Sequence, residues 1–165
     1  MVNFTSDLEK GMQEFCTTGA FLTVTGAGKT NTMTISWGFV GFMWGKPHFI
    51  TVVRPQRYTN QIFESNADSF TVSIPYDGKL KEALTICGTK SGRDIDKSEI
   101  VEFIPSVSVS SPVVAGCDLY YECKIKTAQK LDGSLLPEDI VKNFYDNDFH
   151  IQYIGEIVEC YVKTM

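Results

Sequence analysis

Short stretches in which apolar and polar side chains alternate recur along this chain, and turn residues separate most of them. Such alternation is the period-two signature of half-buried β-strands. Phe21 to Thr25 alternates, Gly26-Ala-Gly-Lys-Thr30 supplies a turn, and Asn31 to Ser36 alternates back, which predicts a hairpin. After Pro47, His48 to Val53 is β-branched and aromatic enough for another strand. Ser69 to Ile74, closed by Pro75, predicts a further one, Cys117 to Lys130 a long one, and His150 to Val162 a last one interrupted at Gly155. Along the long strand, Cys117, Leu119, Tyr121, Cys123 and Ile125 share one face, and Asp118, Tyr120, Glu122 and Lys124 share the other. One side of it is therefore expected to be dry.

Helices are fewer. Ser6-Asp-Leu-Glu9 has capping-box spacing and predicts a helix ending near Gly19. Arg57 to Asn66 and Leu80 to Ile86 predict two more, and Leu135 to Tyr145, opened by Pro137 and Glu138, a helical excursion. Gly88 to Lys97 is polar and charged and reads as a loop, while Ser106 to Gly116, with Pro112, suits edge structure and connectors. Strands linked mostly by short turns favour a mainly β fold with peripheral helices, an antiparallel sheet rolled into a small barrel rather than a doubly wound one. The 165 residues, 43% of them hydrophobic, suffice for one domain over residues 1–165 with a real core.

Charge and cysteine usage narrow the function classes. A net charge of -5 offers neither the basic footprint that nucleic acids require nor attraction to an anionic membrane. The longest apolar run, Trp37 to Trp44, is too short to span a bilayer and is diluted by glycines. The five cysteines are an odd number with no CxxC pair, and the N-terminus has no signal-peptide pattern, so a reducing cytoplasm is expected. The two histidines, His48 and His150, are not at metal-ligand spacing, so no metal site is expected. Cys117 and Cys123 read as buried and inert, whereas Cys87, directly before the charged loop, is either structural or an exposed reactive thiol.

Gly26-Ala-Gly28-Lys29-Thr30 ends like a phosphate-binding P-loop but is not one. It lacks a glycine five residues before Gly28, where Thr23 stands, and a strand follows it instead of a helix. A hairpin turn explains it.

The chemistry concentrates elsewhere. Thr32, Thr34 and Ser36 put hydroxyls on one side of their strand, opposite Met33, Ile35 and Trp37, which suits either a wet surface or a polar ligand site. Arg54 and Arg57 flank a proline just before Tyr58 and Thr59, where a helix starts. Two guanidinium groups, a hydroxyl and helical N–H groups suit a phosphate monoester; solvated surface arginines are the alternative. Ser91-Gly92-Arg93 with Lys97 repeats that chemistry. Two such stretches in an acidic chain favour a bound anionic ligand, and Trp37 adds a flat surface for a planar ring.

Asn31-x-Met33-Thr34-x-Ser36-Trp37, Pro47, Val53-Arg54-x-x-Arg57-x-Thr59-x-x-Ile62, Ser91-Gly92-Arg93-Asp94-x-Asp96-Lys97, Gly116-Cys117 and Ile154-Gly155-Glu156-Ile157, in that order, resemble the flavin reductase and flavoredoxin family of FMN-binding split-barrel proteins. The likeness runs over nearly the whole chain and is weakest from Lys126 to Phe149. It implies an antiparallel Greek-key split β-barrel. Asn31, Thr34, Ser36 and Trp37 would lie along the flavin, Arg54, Arg57 and Thr59 would hold the ribityl phosphate, and Ser91, Gly92 and Lys97 would close over the cofactor. His150 corresponds to a late histidine that some members place near the flavin, and Cys87 stands beside the closing loop. The redox chemistry would belong to FMN, with no catalytic side chain required. The resemblance further implies a homodimer with FMN near the subunit interface. It implies an FMN-dependent oxidoreductase fed by NAD(P)H or another reduced donor, or a flavoredoxin-type electron carrier between redox proteins.

Overall fold

The computed structural model describes residues 2–163. The chain begins with helix α1 (Leu8–Thr17), which buries Gly11 and Phe15. Asp7, in the left-handed region with φ 54°, is its N-cap and makes no side-chain cap. The expected capping box does not form, because a helix starting after Asp7 puts Glu9 one position too early to reach back. At the other end, Thr18 and Gly19 both donate to the Glu14 carbonyl, and Gly19 turns the chain with φ 98°.

Strands β1 (Ala20–Gly26) and β2 (Lys29–Ile35) form the expected hairpin, with Thr23 opposite Thr32. β3 (Gly38–Met43) pairs with β4 (Lys46–Val53), followed by α2 (Tyr58–Glu64), β5 (Ser69–Ile74) and α3 (Lys81–Thr89). Short strands β6 (Phe103–Ile104) and β7 (Val113–Val114) pair with each other. Long strands β8 (Leu119–Lys130) and β9 (Ile151–Val162) flank α4 (Glu138–Phe144). The apolar run after Trp37 is thus a strand in its own right, which the sequence pattern had not shown. Among the described residues no helix is long and apolar enough to cross a membrane.

Seven strands form one antiparallel sheet in the order β2-β1-β5-β8-β9-β4-β3. β2 and β3 are its edges, so the sheet is open, and among the described residues no ladder closes it into a barrel. It nevertheless wraps a shared core: Met33 and Ile35 from one edge strand belong to the same cluster as Phe49 and Val53 near the other. Phe63 stacks on Tyr153 at 3.8 Å, and Phe15 meets Phe49 edge-on at 5.9 Å. β9 runs through Gly155 as strand; the β8–β9 register shifts twice, between Ile125 and Thr127 opposite Gly155 and between Glu122 and Cys123, where β9 skips from Glu159 to Ile157. A Cβ at Gly155 would stand 2.5 Å from the Phe70 ring, which is why that position is glycine.

The face of β8 expected to be dry is buried at Leu119, Tyr121 and Cys123, but the opposite face is buried too. Tyr120 and Glu122 are fully buried along with Tyr121 and Cys123, because the 100–117 segment and α3 build a second core over that side. Cys117 belongs to this second core and Cys123 to the first, so the two thiols do not share a face. Glu122 tolerates burial because its carboxylate accepts hydrogen bonds from the Val107 and Ser108 amides, both at 2.7 Å, and from the Tyr161 hydroxyl at 2.9 Å.

Candidate functional site

The ends of β2 and β4, the start of α2, the stretch after α3 and His150 converge on a two-lobed cleft. One lobe, about 230 Å³, is lined by Met33, Thr34, Ile35, Ser36, Trp37, Val52, Arg54, Arg57 and His150. The other, about 200 Å³, is lined by Asn31, Gln56, Tyr58, Thr59, Ser91, Gly92, Arg93 and Lys97, among others. Met33 and Arg57 line both and mark the junction. Together the lobes reach the size of ordinary ligand clefts.

The second lobe is rich in donors. Thr59 Oγ1 accepts from the Asn31 side-chain amide at 2.8 Å, so the hydroxyl proton is left to point elsewhere. Ser91 Oγ accepts from the Arg93 amide at 3.1 Å, with the same result. Among the described residues neither hydroxyl donates to an acceptor. Arg57 sends one N–H to the Gly88 carbonyl at 2.9 Å, leaving the rest of its fork available. Arg57, Lys90, Arg93 and Lys97 line this lobe and no carboxylate does. A cavity walled by free hydroxyl donors and cations, in a chain of net charge -5, has the chemistry to hold an anion. Burial, and then the neighbouring Arg54 cation, pull Arg57 below the ordinary guanidinium value.

The first lobe is flatter, with Met33, Ile35, Trp37 and Val52 in its wall. Trp37 is 45% exposed along its wall, 5.4 Å from the His150 ring and 5.6 Å from Phe144. His150 is buried, with Nδ1 2.9 Å from the Tyr145 hydroxyl, and burial followed by Arg54 lowers its pKa, so the imidazole is neutral at neutral pH.

The sequence-derived residues divide between the lobes. Thr34, Ser36, Trp37, Arg54 and His150 line the first; Asn31, Thr59, Ser91, Gly92 and Lys97 line the second; Arg57 belongs to both. Arg54 does not reach the anion lobe, because its guanidinium is ion-paired with Asp148, donates to the Phe144 carbonyl at 2.7 Å and lies over the Tyr145 ring at 5.3 Å. Within the hydroxyl row, Thr32 is buried and donates to the Leu22 carbonyl, while Thr34, which lines the first lobe, donates to the Leu84 carbonyl of α3 at 2.6 Å, and Ser36 is outermost. Cys87 is fully buried and burial pushes its thiol pKa up, so the exposed, reactive alternative is excluded. Lining residues to which sequence reasoning assigned no part in a site are Met33, Ile35, Val52, Gln56, Tyr58, Thr89 and Lys90. Arg93, a cation of the Ser91–Lys97 motif, lines the second lobe with its guanidinium 5.2 Å over the Tyr58 ring.

A small, open antiparallel sheet with helices at its margins, bearing a cleft that pairs an anion lobe with an aromatic lobe, is the class of protein that fold and site define. The chain belongs to the family described as flavin reductase like domain, which matches residues 12–165. No curated protein matches the sequence. Among solved structures, it is similar to flavoredoxin from Methanosarcina acetivorans, with 26% identity, a TM-score of 0.68, and coverage of 88% of this chain and 68% of that one. The FMN-binding protein of Thermus thermophilus, with bound 1-cyclohex-2-enone, shares the fold at 19% identity and a TM-score of 0.66, covering 87% of this chain and 69% of that one. So does an NADH:FAD oxidoreductase of Streptomyces globisporus at 18% identity and 0.66, covering 88% and 75%.

Proposed function

We propose that this chain binds FMN in the two-lobed cleft and works as a flavin reductase-like oxidoreductase, taking electrons from NAD(P)H or another reduced donor and passing them to an acceptor. The observation that carries this reading is the anion lobe, whose Thr59 and Ser91 hydroxyls each accept internally and keep a proton for a ligand oxygen. FMN, when bound, supplies the redox chemistry. The chain's own residues bind, orient and exclude water. Arg57, Thr59, Ser91 and Lys97 would hold the phosphate, with Asn31 fixing the Thr59 hydroxyl and Gly92 letting its loop approach β2. Met33, Trp37 and Val52 would flank the ring, and Ser36 would meet its polar edge. Thr34 fixes β2 against α3, while Arg54 and neutral His150 wall the ring lobe.

The exposed aromatics along β3 and its turn, Phe39 at 64%, Phe42 at 57% and Trp44 at 65%, on the strand that follows Trp37, support a homodimer with FMN near its interface. We place the chain as one split-barrel domain working in the cytoplasm, without a nucleic-acid or membrane partner. The test is direct: purified protein should be yellow and release flavin on denaturation, and anaerobic NADH or NADPH should bleach the flavin band. Protein that carries flavin but is bleached by neither would sink the reductase reading. The 26% identity to a flavoredoxin favours a second reading, an electron carrier between redox proteins. In that case reduction by a ferredoxin-type donor should outpace reduction by either nicotinamide, and the reverse order would exclude it.

A further inference from the structure

Lys97 is the least conventional charge in the molecule. Its side chain is almost wholly buried, with the residue 5% exposed, and its ammonium donates to two backbone carbonyls, Thr32 at 2.7 Å and Cys87 at 2.8 Å. These two bonds tie β2 to the last turn of α3, and they use two of the three ammonium protons. Among the described residues no carboxylate lies within ion-pair distance of it. A buried cation without a counter-charge is costly, and lysine is the cation that can answer by losing its proton.

We propose that Lys97 is a proton-linked positioning residue of the anion lobe: it fixes the 88–97 stretch against β2, and the ligand's phosphate completes its charge, so that binding a phosphate-bearing flavin takes up a proton and weakens in alkali. This rests on the reading of the cleft as an FMN site. The geometry supports the coupling, since Lys97 lines the anion lobe itself. Its neighbours also fit. β2 offers the uncharged Thr30, Asn31 and Thr32, with the Lys29 cation at its outer end on a hollow that Lys97 also lines. α3 offers Cys87, whose thiol burial pushes up against the pull of the Lys97 cation. From the start of α2, Arg57 adds a second cation, with Tyr58 beside it, and Arg93, Asp94 and Asp96 sit in its own stretch. Burial, reinforced by Arg57 and opposed by Cys87, lowers the Lys97 pKa to about 8. Above that value the empty site loses its central charge, whereas a bound phosphate would hold the proton on.

The test measures dissociation constants of FMN and riboflavin from wild-type protein between about pH 7 and about pH 9.5, where a phosphate monoester is already fully ionised. FMN affinity should fall by up to about tenfold per pH unit above the Lys97 value, while riboflavin, the same ring without phosphate, stays flat. Lys97→Met should weaken FMN by roughly tenfold or more, flatten its pH profile and leave riboflavin within about twofold. Equal losses for both flavins would make Lys97 a purely structural strut and overturn the proposal. So would wild-type FMN and riboflavin profiles that run parallel, a comparison that decides the matter even if Lys97→Met fails to fold. Wild-type protein that binds neither flavin near neutral pH would instead overturn the FMN reading itself.

Discussion

Arg54 is ion-paired with Asp148, 94 residues further along the chain, at the edge of the ring lobe. That one guanidinium, with its bond to the Phe144 carbonyl and its stacking on Tyr145, and the Trp37 ring against Phe144 hold down a segment whose helix α4 buries no residue. Asp148 is held well below the usual carboxylate range by the Asp146 amide first, then by Gln56 and Arg54. Asp148→Asn should therefore loosen residues 144–149: amide exchange there should rise and Trp37 emission should shift to the red. Unchanged protection would mean that the segment is anchored elsewhere.

The two arginines should separate in binding. Arg57→Ala should weaken FMN by about 1–3 kcal/mol, the range of a lost charge-assisted hydrogen bond. Riboflavin should be spared. Arg54→Ala should cost less and affect both flavins alike, since its guanidinium faces the 144–149 segment. Titration calorimetry of both variants with both flavins decides it; equal FMN-specific losses would return Arg54 to the phosphate.

Gly92→Ala tests the packing of the anion lobe. A Cβ there would lie 2.1 Å from Asn31 Oδ1 and 2.8 Å from Tyr58 Cδ1, so the amide that fixes the Thr59 hydroxyl must move. Overpacking of this kind costs about 1–3 kcal/mol. Flavin retention should fall with it. Gly41→Ala, with open space around its Cβ, is the control and should change neither property.

Glu122→Ala should destabilise the fold without touching the cleft. It removes the acceptor for two buried amides and the Tyr161 hydroxyl, and stranding such donors costs about 1–3 kcal/mol each. A lower urea midpoint with unchanged slope is expected, and Glu122→Gln should recover part of the loss.

His150 sets a pH dependence. Its folded pKa lies below the unfolded value, so the unfolded chain takes up the proton first and stability falls as pH drops through about 6.5. His150→Gln should lose less melting temperature than wild type between about pH 7.5 and about pH 5.5. Parallel losses would assign the acid sensitivity to other groups.

Much of this was legible in the chain itself. Alternation found β1, β2 and β8, β-branched and aromatic composition found β4, strand patterns bounded by turn residues found β5 and β9, and the cationic motifs found most of the anion lobe. β3 escaped because an edge strand with glycines and exposed Phe39 and Phe42 has no alternation to detect. The burial of Glu122 escaped because a segment distant in sequence supplies its partners. The division between Arg54 and Arg57 escaped for a similar reason: spacing places two guanidinium groups near each other, but Asp148, from the region where the family resemblance is weakest, decides where one of them points.

The strand order carries a consequence for synthesis. The β1–β2 and β3–β4 hairpins are made early, yet they lie at opposite ends of the sheet, and β4 reaches the rest only through β9. With about 5–20 residues added per second, the β3–β4 hairpin must wait on the order of five to twenty seconds for β9 to leave the ribosome. During that interval Trp37, Phe39, Phe42 and Trp44 are carried on an unbacked ribbon. A nascent chain stalled before residue 151 should accordingly be the form that chaperones hold longest, and release should coincide with the emergence of β9.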